Sequence, residues 1–313
     1  QKDGNFDDAY REFRGLVLDP RNDPRLVGHD LTLGVRCLRR LGRRNEIDEF
    51  VESAVKVHEG NWRLLQAAAQ IYQHSQHLGF MVAGKFERGG HRGGGKLVNS
   101  LERDRVRSLQ LMAQAVPRVR QDDGRNEVAD FFFQFADMML YSRGHHDAWR
   151  LQYLTDLDQL PDYDEGHPYF RPYPGAPVGP DGQPVFHYSV KRWQDAETDG
   201  QRWRWALDQV VEYAPRQLDL VRMQRAQFYQ QQFGVATMSQ YGWFFGRSES
   251  GDGDEDESGT YAPHTLGENE TIAKMATGIK RFEMPDEFNF IKIFQRLADD
   301  TRSRLGEQAL SVL

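Results

Sequence analysis

The sequence predicts a mainly α protein, an α-solenoid of stacked helical hairpins with long inserted loops. Three observations favour this fold class. Apolar residues recur at spacings of three and four along most of the chain, as they do on one face of a helix. Strand-like alternation is scarce, and 185–190 is the single candidate segment. The turn at 19–20 recurs near residue 59, which indicates a repeat of about 40 residues.

The N-terminal part predicts three helices, over 6–19, 26–41 and 47–58. The first resembles the second helix of a tetratricopeptide hairpin, with Ala9 as the small residue at which a partner helix would cross. The stack is therefore predicted to be tetratricopeptide-like, although its period is longer than the usual length of about 34 residues. Cys37 lies within the second helix, and we expect it to be buried there.

A fourth predicted helix covers 62–79, and a glycine-rich, basic insertion follows it at 84–96. Helical spacing resumes over 102–116 and 128–141. Together with the first three helices, these segments form a predicted helical-repeat region at 1–160 that the insertion interrupts.

A long loop separates this region from a second set of predicted helices. Residues 161–190 are predicted as a proline and aromatic loop, since 161–184 contain seven of the 13 prolines. From 191 to 313 we expect further helical hairpins, with an acidic and mobile loop at 248–259. The predicted helices of this part cover 203–214, 218–233, 270–282 and 286–297, and one more begins near 305.

Composition limits the classes of protein to which the chain can belong. Its 313 residues are 39% hydrophobic and 12% aromatic, which is enough for a folded core despite a mean hydropathy of −0.73. No run of about 18 apolar residues occurs, so we predict no membrane span. The single cysteine excludes a disulfide within the chain and a cysteine-rich metal site. The net charge of −7 comes mostly from the second half of the chain.

The glycine-rich insertion contains the most specific motif. From Gly90 to Lys96 it has the Gly-x4-Gly-Lys spacing of a phosphate-binding loop, in which backbone N–H groups and a lysine hold phosphates. However, Leu97 occupies the position of the serine or threonine that would bind magnesium, and the preceding 62–79 is predicted as a helix, whereas the motif requires a strand. A nucleotide-binding enzyme that uses this loop is therefore an alternative hypothesis.

The same region could contact nucleic acid, which is a second alternative. Its cations include Arg88, Arg92 and Lys96, and three further arginines follow at 103, 105 and 107. Acidic residues alternate with these cations, and the whole chain is acidic. We therefore predict that the protein does not bind nucleic acid.

Other polar patterns favour structural roles. His74 and His77 are spaced as two metal ligands on one helix would be, but no third ligand is evident. The acidic loop begins like a calcium loop and lacks the required glycine and final glutamate. Trp203 and Trp205 alternate with arginines and could form a recognition patch. The helical phase of Trp203 favours the core, whereas Trp205 is out of that phase and is expected to pack against the proline loop. We find no catalytic set and predict no enzyme, no cofactor and no metal.

Several phrases of the chain resemble a known family. They include Asn-Trp-Arg-Leu-Leu-Gln-Ala-Ala-Ala from 61, Gly-Gly-His-Arg-Gly-Gly-Gly from 89 and Asp-Gly-Gln-Arg-Trp-Arg-Trp-Ala from 199. These phrases resemble the N-terminal helical region of large bacterial alpha-2-macroglobulin-like proteins. The resemblance implies an extracytoplasmic location in the periplasm, the cell envelope or the medium. The thioester pentapeptide Gly-Cys-Gly-Glu-Gln of some relatives is absent, so no active residue transfers from the family.

From these patterns we predict a non-enzymatic protein-interaction or structural scaffold, the N-terminal module of a larger alpha-2-macroglobulin-like protein. The first helix looks like half of a hairpin, so we expect the chain to be a piece of a longer one. Its partners would be other proteins or other domains of the parent chain. The residues that we predict to contact a partner lie in the insertion and in the proline loop: Arg88, His91, Arg92, Lys96, Tyr169, Phe170 and Tyr173.

Overall fold

The computed structural model describes residues 4–144, 147–167, 176–233, 265–299 and 304–312. Its described elements are mainly helices, with two small antiparallel sheets, and this confirms the predicted mainly α class. None of the described helices combines the length and the apolar character that crossing a membrane requires. The predicted acidic loop at 248–259 lies outside the described residues.

The chain forms two compact units. The first consists of 1–141 and 155–170, and the second consists of 142–154 and 171–313. Of the predicted region at 1–160, residues 1–141 and 155–160 lie in the first unit and 142–154 in the second, and the first unit extends beyond that region to 170.

Six helices form the frame of the first unit, and they follow the predicted segments closely except at the end of the fourth. Amphipathic spacing accounts for their positions, and side-chain caps fix some of their starts. Asn61, for example, accepts hydrogen bonds from the N–H groups of Arg63 and Leu64. The helices are α1 (Phe6–Val17), α2 (Val27–Arg40), α3 (Ile47–Val57), α4 (Trp62–Gln73), α5 (Leu101–Val119) and α6 (Arg125–Leu140).

The helices α2 and α4 approach each other at a glycine. A Cβ atom added to Gly28 of α2 would lie 2.8 Å from the backbone oxygen of Arg63 in α4, so a side chain there would push the helices apart. Further along α2, a Cβ on Gly34 would lie 2.8 Å from the ring of Phe50 in α3. Cys37 is fully buried in the same helix, as predicted.

A small antiparallel sheet occupies the place of the predicted glycine-rich insertion. Its strands are β1 (Leu78–Val82), β2 (Lys85–Arg88), β3 (Lys96–Asn99) and β4 (Asp164–Glu165), in the spatial order β2-β1-β3-β4. The predicted helix at 62–79 is therefore wrong beyond Gln73, where α4 ends. The pairing of β1 with β2 requires glycine at position 79, because a Cβ there would lie 2.4 Å from the carbonyl oxygen of Glu87 in the neighbouring strand.

Among the residues that the structure describes, the second unit combines four helices with one hairpin. The helices are α7 (Asp199–Tyr213), α8 (Leu218–Phe233), α9 (Phe290–Ala298) and α10 (Arg304–Leu310), and the hairpin strands are β5 (Glu270–Met275) and β6 (Gly278–Glu283). Trp203 and Trp205 are both buried in α7, which confirms the prediction that Trp203 is a core residue.

Two secondary-structure predictions for this unit are wrong. The predicted helix at 270–282 is the β5–β6 hairpin, in which Thr271, Ala273 and Met275 alternate into the core with a period of two. The predicted strand at 185–190 belongs to no sheet in the described structure, and only an isolated bridge between Val178 and Pro184 lies beside it.

Candidate functional site

Arg88 lies at the centre of a buried charge cluster in the first unit. It ends β2 and is 4% exposed. Its Nε and Nη2 donate to the carboxylate of Asp48 in α3 at 3.0 and 3.1 Å. Its Nη1 and Nη2 donate to Asp104 in α5 at 2.7 and 2.9 Å. The pairing of each carboxylate with two N–H groups offsets much of the free energy that burial of the guanidinium costs.

Two further side chains lie within hydrogen-bond distance of the Asp104 carboxylate. Ser100 Oγ donates to its Oδ2 at 2.7 Å, and His77 Nδ1 lies 2.7 Å from the same oxygen. The second ring nitrogen of His77, Nε2, lies 3.0 Å from the hydroxyl of Tyr141. Burial alone would raise the pKa of Asp104, but hydrogen bonds from His77, Arg88 and Ser100 outweigh it and hold that pKa below its usual value. We call these residues the Arg88 cluster: Asp48, His77, Arg88, Ser100 and Asp104.

This geometry corrects the prediction that Arg88 contacts a partner. Both edges of its guanidinium are occupied by carboxylates of the same unit, and little of the side chain reaches solvent. Its role in the structure is to join β2 to α3 and α5. The strand that leads into the glycine-rich segment is therefore fixed to two helices.

The segment that follows, 89–95, is a loop between β2 and β3, and we call it the glycine loop. It contains two predicted contact residues, His91 and Arg92, and Lys96 begins β3 directly after it. His91 Nδ1 lies 2.8 Å from the carboxylate of Glu87, and Lys96 pairs with Glu165. Arg92 and the three glycines after it are exposed. In the described part of the chain, no carboxylate pairs with Arg92.

The glycine loop does not have the surroundings of a phosphate-binding loop. Such a loop passes from a strand into the N-terminus of a helix, whose free N–H groups help to bind phosphate. Here the loop passes from β2 into β3, and α5 begins only at Leu101. The structure therefore lacks the helix N-terminus on which the nucleotide hypothesis depends.

The remaining predicted residues are placed as follows. Tyr169, Phe170 and Tyr173 lie outside the described residues. His74 and His77 do not share a ligand position, because His74 Nδ1 lies 2.9 Å from the backbone oxygen of Gln70 whereas His77 faces Asp104. Across the described residues, no group of three potential ligands is placed to hold a metal ion.

The sequence analysis missed the acidic half of the Arg88 cluster. One signal was present, because Asp104 is in helical phase with Ser108, Leu111 and Ala115, which are all buried. A carboxylate on the buried face of a helix needs a partner. No local pattern, however, identifies Arg88 as that partner.

A second buried polar group lies in the second unit. His187 is 2% exposed, and its ring lies on Gly200, where an added Cβ would come within 2.1 Å of the ring. Its Nδ1 lies 3.4 Å from Thr198 Oγ1, and Nε2 has no hydrogen-bond partner among the described residues. Burial, together with the charge of Arg204, lowers the pKa of His187 to about 4.

Comparison with known proteins gives no family for the chain. No family model, no curated protein and no solved structure matches it. The resemblance to alpha-2-macroglobulin-like proteins therefore stays a prediction from sequence phrases, and function has to be inferred from the geometry of the glycine loop and its base.

Proposed function

We propose that the protein is a non-enzymatic interaction module that binds a protein partner through the glycine loop of its first unit. The observation that supports this proposal most is the contrast between the base and the tip of the glycine loop. Arg88 at its base is buried between two carboxylates, whereas Arg92 at its tip is exposed without an acidic partner in the described structure.

A fixed base favours binding because it reduces the entropy lost when the complex forms. The strand before the loop is held by the ion pairs of Arg88, and the strand after it pairs with β1 and β4. Apart from His91, which is half-buried beside the Phe80 ring, the loop residues are small or exposed and contribute little to the core. Their exposure is thus better explained by contact with another molecule than by the stability of the unit.

The charge of the loop favours an acidic partner. Arg92 is exposed within the loop, and Lys96, directly after it, is also exposed and pairs with Glu165. Opposite charge on the partner would speed association and fix orientation, and its effect would weaken in salt. An acidic segment of a second protein, or of another domain of a parent chain, fits this surface.

The arrangement of the helices supports the tetratricopeptide-like part of the proposal. In the first unit, α1 packs on α2, α2 packs mainly on α4 with only minor contacts to α3, and α4 packs on α5. The main contacts thus join helices that are one or two positions apart in the chain, as in stacked helical repeats. An alpha-2-macroglobulin-like parent with an extracytoplasmic location remains part of the proposal on the sequence resemblance alone.

Affinity capture with charge-reversed variants tests the proposal. The whole chain, its Arg92→Glu variant and its Arg118→Glu variant are immobilised and exposed to an extract of the source cells. Arg118 is an exposed arginine near the end of α5 and serves as the matched control. We expect a protein that the wild type and the control retain and that Arg92→Glu retains at least about tenfold less.

The captured protein is then purified and titrated against the three chains at two salt concentrations. Saturable binding that salt and Arg92→Glu both weaken would support the proposal. Equal binding by Arg92→Glu and the wild type would refute it, since the tip of the loop would then not take part.

A further inference from the structure

A half-open cavity of about 270 Å³ lies beside the Arg88 cluster in the first unit. Side chains of α3, α4 and α5 form most of its wall, and Leu160 and Tyr163 close one side. Three carboxylates and three arginines line it, an unusual density of charge for a space of this size. They are Asp48, Glu52, Asp104, Arg88, Arg103 and Arg107.

The three carboxylates already have strong donors. Arg88 pairs with both Asp48 and Asp104. Arg107 donates to Glu52 through Nε and Nη2 at 2.8 and 2.7 Å, and the hydroxyl of Tyr72 donates to Glu52 at 2.7 Å. A cationic ligand would have to compete with these bonds, so the acidic groups do not make the cavity a cation site.

Arg103 differs from the other two arginines. One Nη1 N–H donates to the backbone oxygen of Pro161 at 2.7 Å, and the guanidinium lies 4.8 Å from the centre of the Tyr163 ring. In the part of the chain that the structure describes, no carboxylate is within ion-pair distance of it. Its other N–H groups are donors with a fixed planar geometry that matches a carboxylate.

The remaining wall is apolar. The ring of Tyr163 stacks on Phe86 of β2 with 4.6 Å between the ring centres and 26° between the planes. Phe86 is 9% exposed, and it supports the ring from behind. Tyr163 and Leu160 therefore offer a fixed hydrophobic surface next to the guanidinium of Arg103.

We propose that this cavity is a binding site for a small organic carboxylate. Arg103 binds the carboxylate group of the ligand, and Tyr163 and Leu160 contact its apolar part. The ligand supplies the carboxylate partner that the described residues do not provide for Arg103. The ring and Leu160 supply the hydrophobic contact, as in most small-molecule sites. The loop at 89–95 takes no part, so this site is independent of the partner surface proposed above.

The wall favours a monoanion over a phosphate. Glu52 and Asp48 lie in the same cavity, and a dianion would be repelled about twice as strongly by each of them as a carboxylate would. A phosphate ion is therefore expected to bind more weakly than a carboxylate with an apolar tail.

Titration of the whole chain with three probes tests the site. The probes are 3-phenylpropionate, its neutral amide and inorganic phosphate, each followed by calorimetry and by ligand-observed NMR. We expect the carboxylate to bind, and the amide and phosphate to bind at least about tenfold more weakly. The variants are Arg103→Gln, which removes the charge, Arg103→Lys, which keeps it, and Arg118→Gln on the same helix as the control.

Arg103→Gln should weaken binding of 3-phenylpropionate at least about tenfold, Arg103→Lys should weaken it less, and the control should leave it unchanged. Circular dichroism and the unfolding midpoint establish that each variant is folded. The proposal is overturned if the wild type binds no carboxylate, if the amide binds equally well, or if Arg103→Gln binds as the wild type does. None of these outcomes affects the result of the Arg92 capture experiment.

Discussion

Buried ionisable side chains are accommodated in two different ways in this protein. Arg88 remains charged inside the first unit because Asp48 and Asp104 surround its guanidinium. His187 is buried without such an arrangement, and its pKa falls to about 4, so the ring is neutral at pH 7. Arg88 joins a strand to two helices, whereas His187 makes the stability of the second unit depend on pH.

We predict that the free energy of unfolding falls as the pH is lowered from 6.5 towards 4. The unfolded chain binds a proton at His187 near the ordinary pKa of 6.5, and the native state excludes that proton down to about pH 4. Stability from this residue is therefore fully present above pH 6.5, and about 3 kcal/mol of it is lost by pH 4. Urea unfolding followed by tryptophan fluorescence at several pH values measures this slope.

Two histidine variants test whether His187 causes this dependence of the free energy of unfolding on pH. His187→Gln should be less stable at pH 7 and less sensitive to pH, since glutamine does not titrate. His29→Gln replaces an exposed histidine and should keep the wild-type slope. Parallel curves for His187→Gln and the wild type would contradict the prediction.

At the scale of the helices, glycine sets how closely neighbours pack in the first unit. The first turn of α2 meets α4 at Gly28, where only a hydrogen atom fits against the backbone of Arg63. Gly15 in α1, by contrast, has no neighbouring atom near the position of an added Cβ. Gly28 lies in the first turn of its helix and Gly15 in the last turn of its own, and only Gly28 is closely packed.

Alanine at these positions should therefore change stability in opposite directions. Gly28→Ala is expected to lower the free energy of unfolding by about 1–2 kcal/mol, because helix propensity only partly offsets the clash. Gly15→Ala should raise it by about 0.5–1 kcal/mol, since alanine is the better helix former. Chemical denaturation measures the free energy of unfolding of both variants and of the wild type. Stabilisation by Gly28→Ala would show that the helices separate without cost.

Some helices and strands could be predicted from the sequence, and others could not. The helices of the first unit have long amphipathic patterns, and their bounds were predicted closely except at the end of α4, which was predicted to continue to 79. At 270–283 the pattern is ambiguous: Ile272, Met275 and Ile279 fit a helix, while Thr271 and Ala273 fit a strand with Met275. Cross-strand pairing decides between them, and no local window contains it.

The contacts of the candidate site were even harder to predict from the sequence than the strands were. The glycine-rich composition correctly identified an unusual segment, but Arg88 and Asp48 are 40 residues apart and meet only when β2 packs on α3. The cavity wall likewise depends on Tyr163, which comes from a segment predicted as a loop. Charge partners and cavities are properties of the tertiary structure, so the sequence indicated their residues without their contacts.

At the scale of the whole molecule, the first unit is made from two separate parts of the chain. After leaving at 141, the chain returns at 155–167 and adds β4 to the edge of the sheet beside β3. On α5, Arg103 donates to the oxygen of Pro161, and Gln110 donates to that of Leu157 at 2.9 Å. The returning segment is thus a structural part of the unit.

Fragments that differ only in this segment should differ in stability. We expect a fragment of residues 1–167 to unfold at a midpoint about 5 °C or more above that of residues 1–154. A fragment of residues 1–144 should match 1–154, because 145–154 belong to the other unit. Thermal unfolding by circular dichroism compares the three, and equal midpoints for all of them would show that 155–167 contribute no stability.

The burial of Cys37 has a practical consequence for following such changes. It is the only thiol in 313 residues, and it lies fully buried in α2, which packs against both α1 and α4. A thiol reagent can reach it only when these helices separate, so its rate of labelling reports the opening of the first unit. A cysteine placed on the surface would, in the native protein, be modified selectively while Cys37 stays protected. The chain thus allows single-site labels at the glycine loop or the cavity without removal of its own thiol.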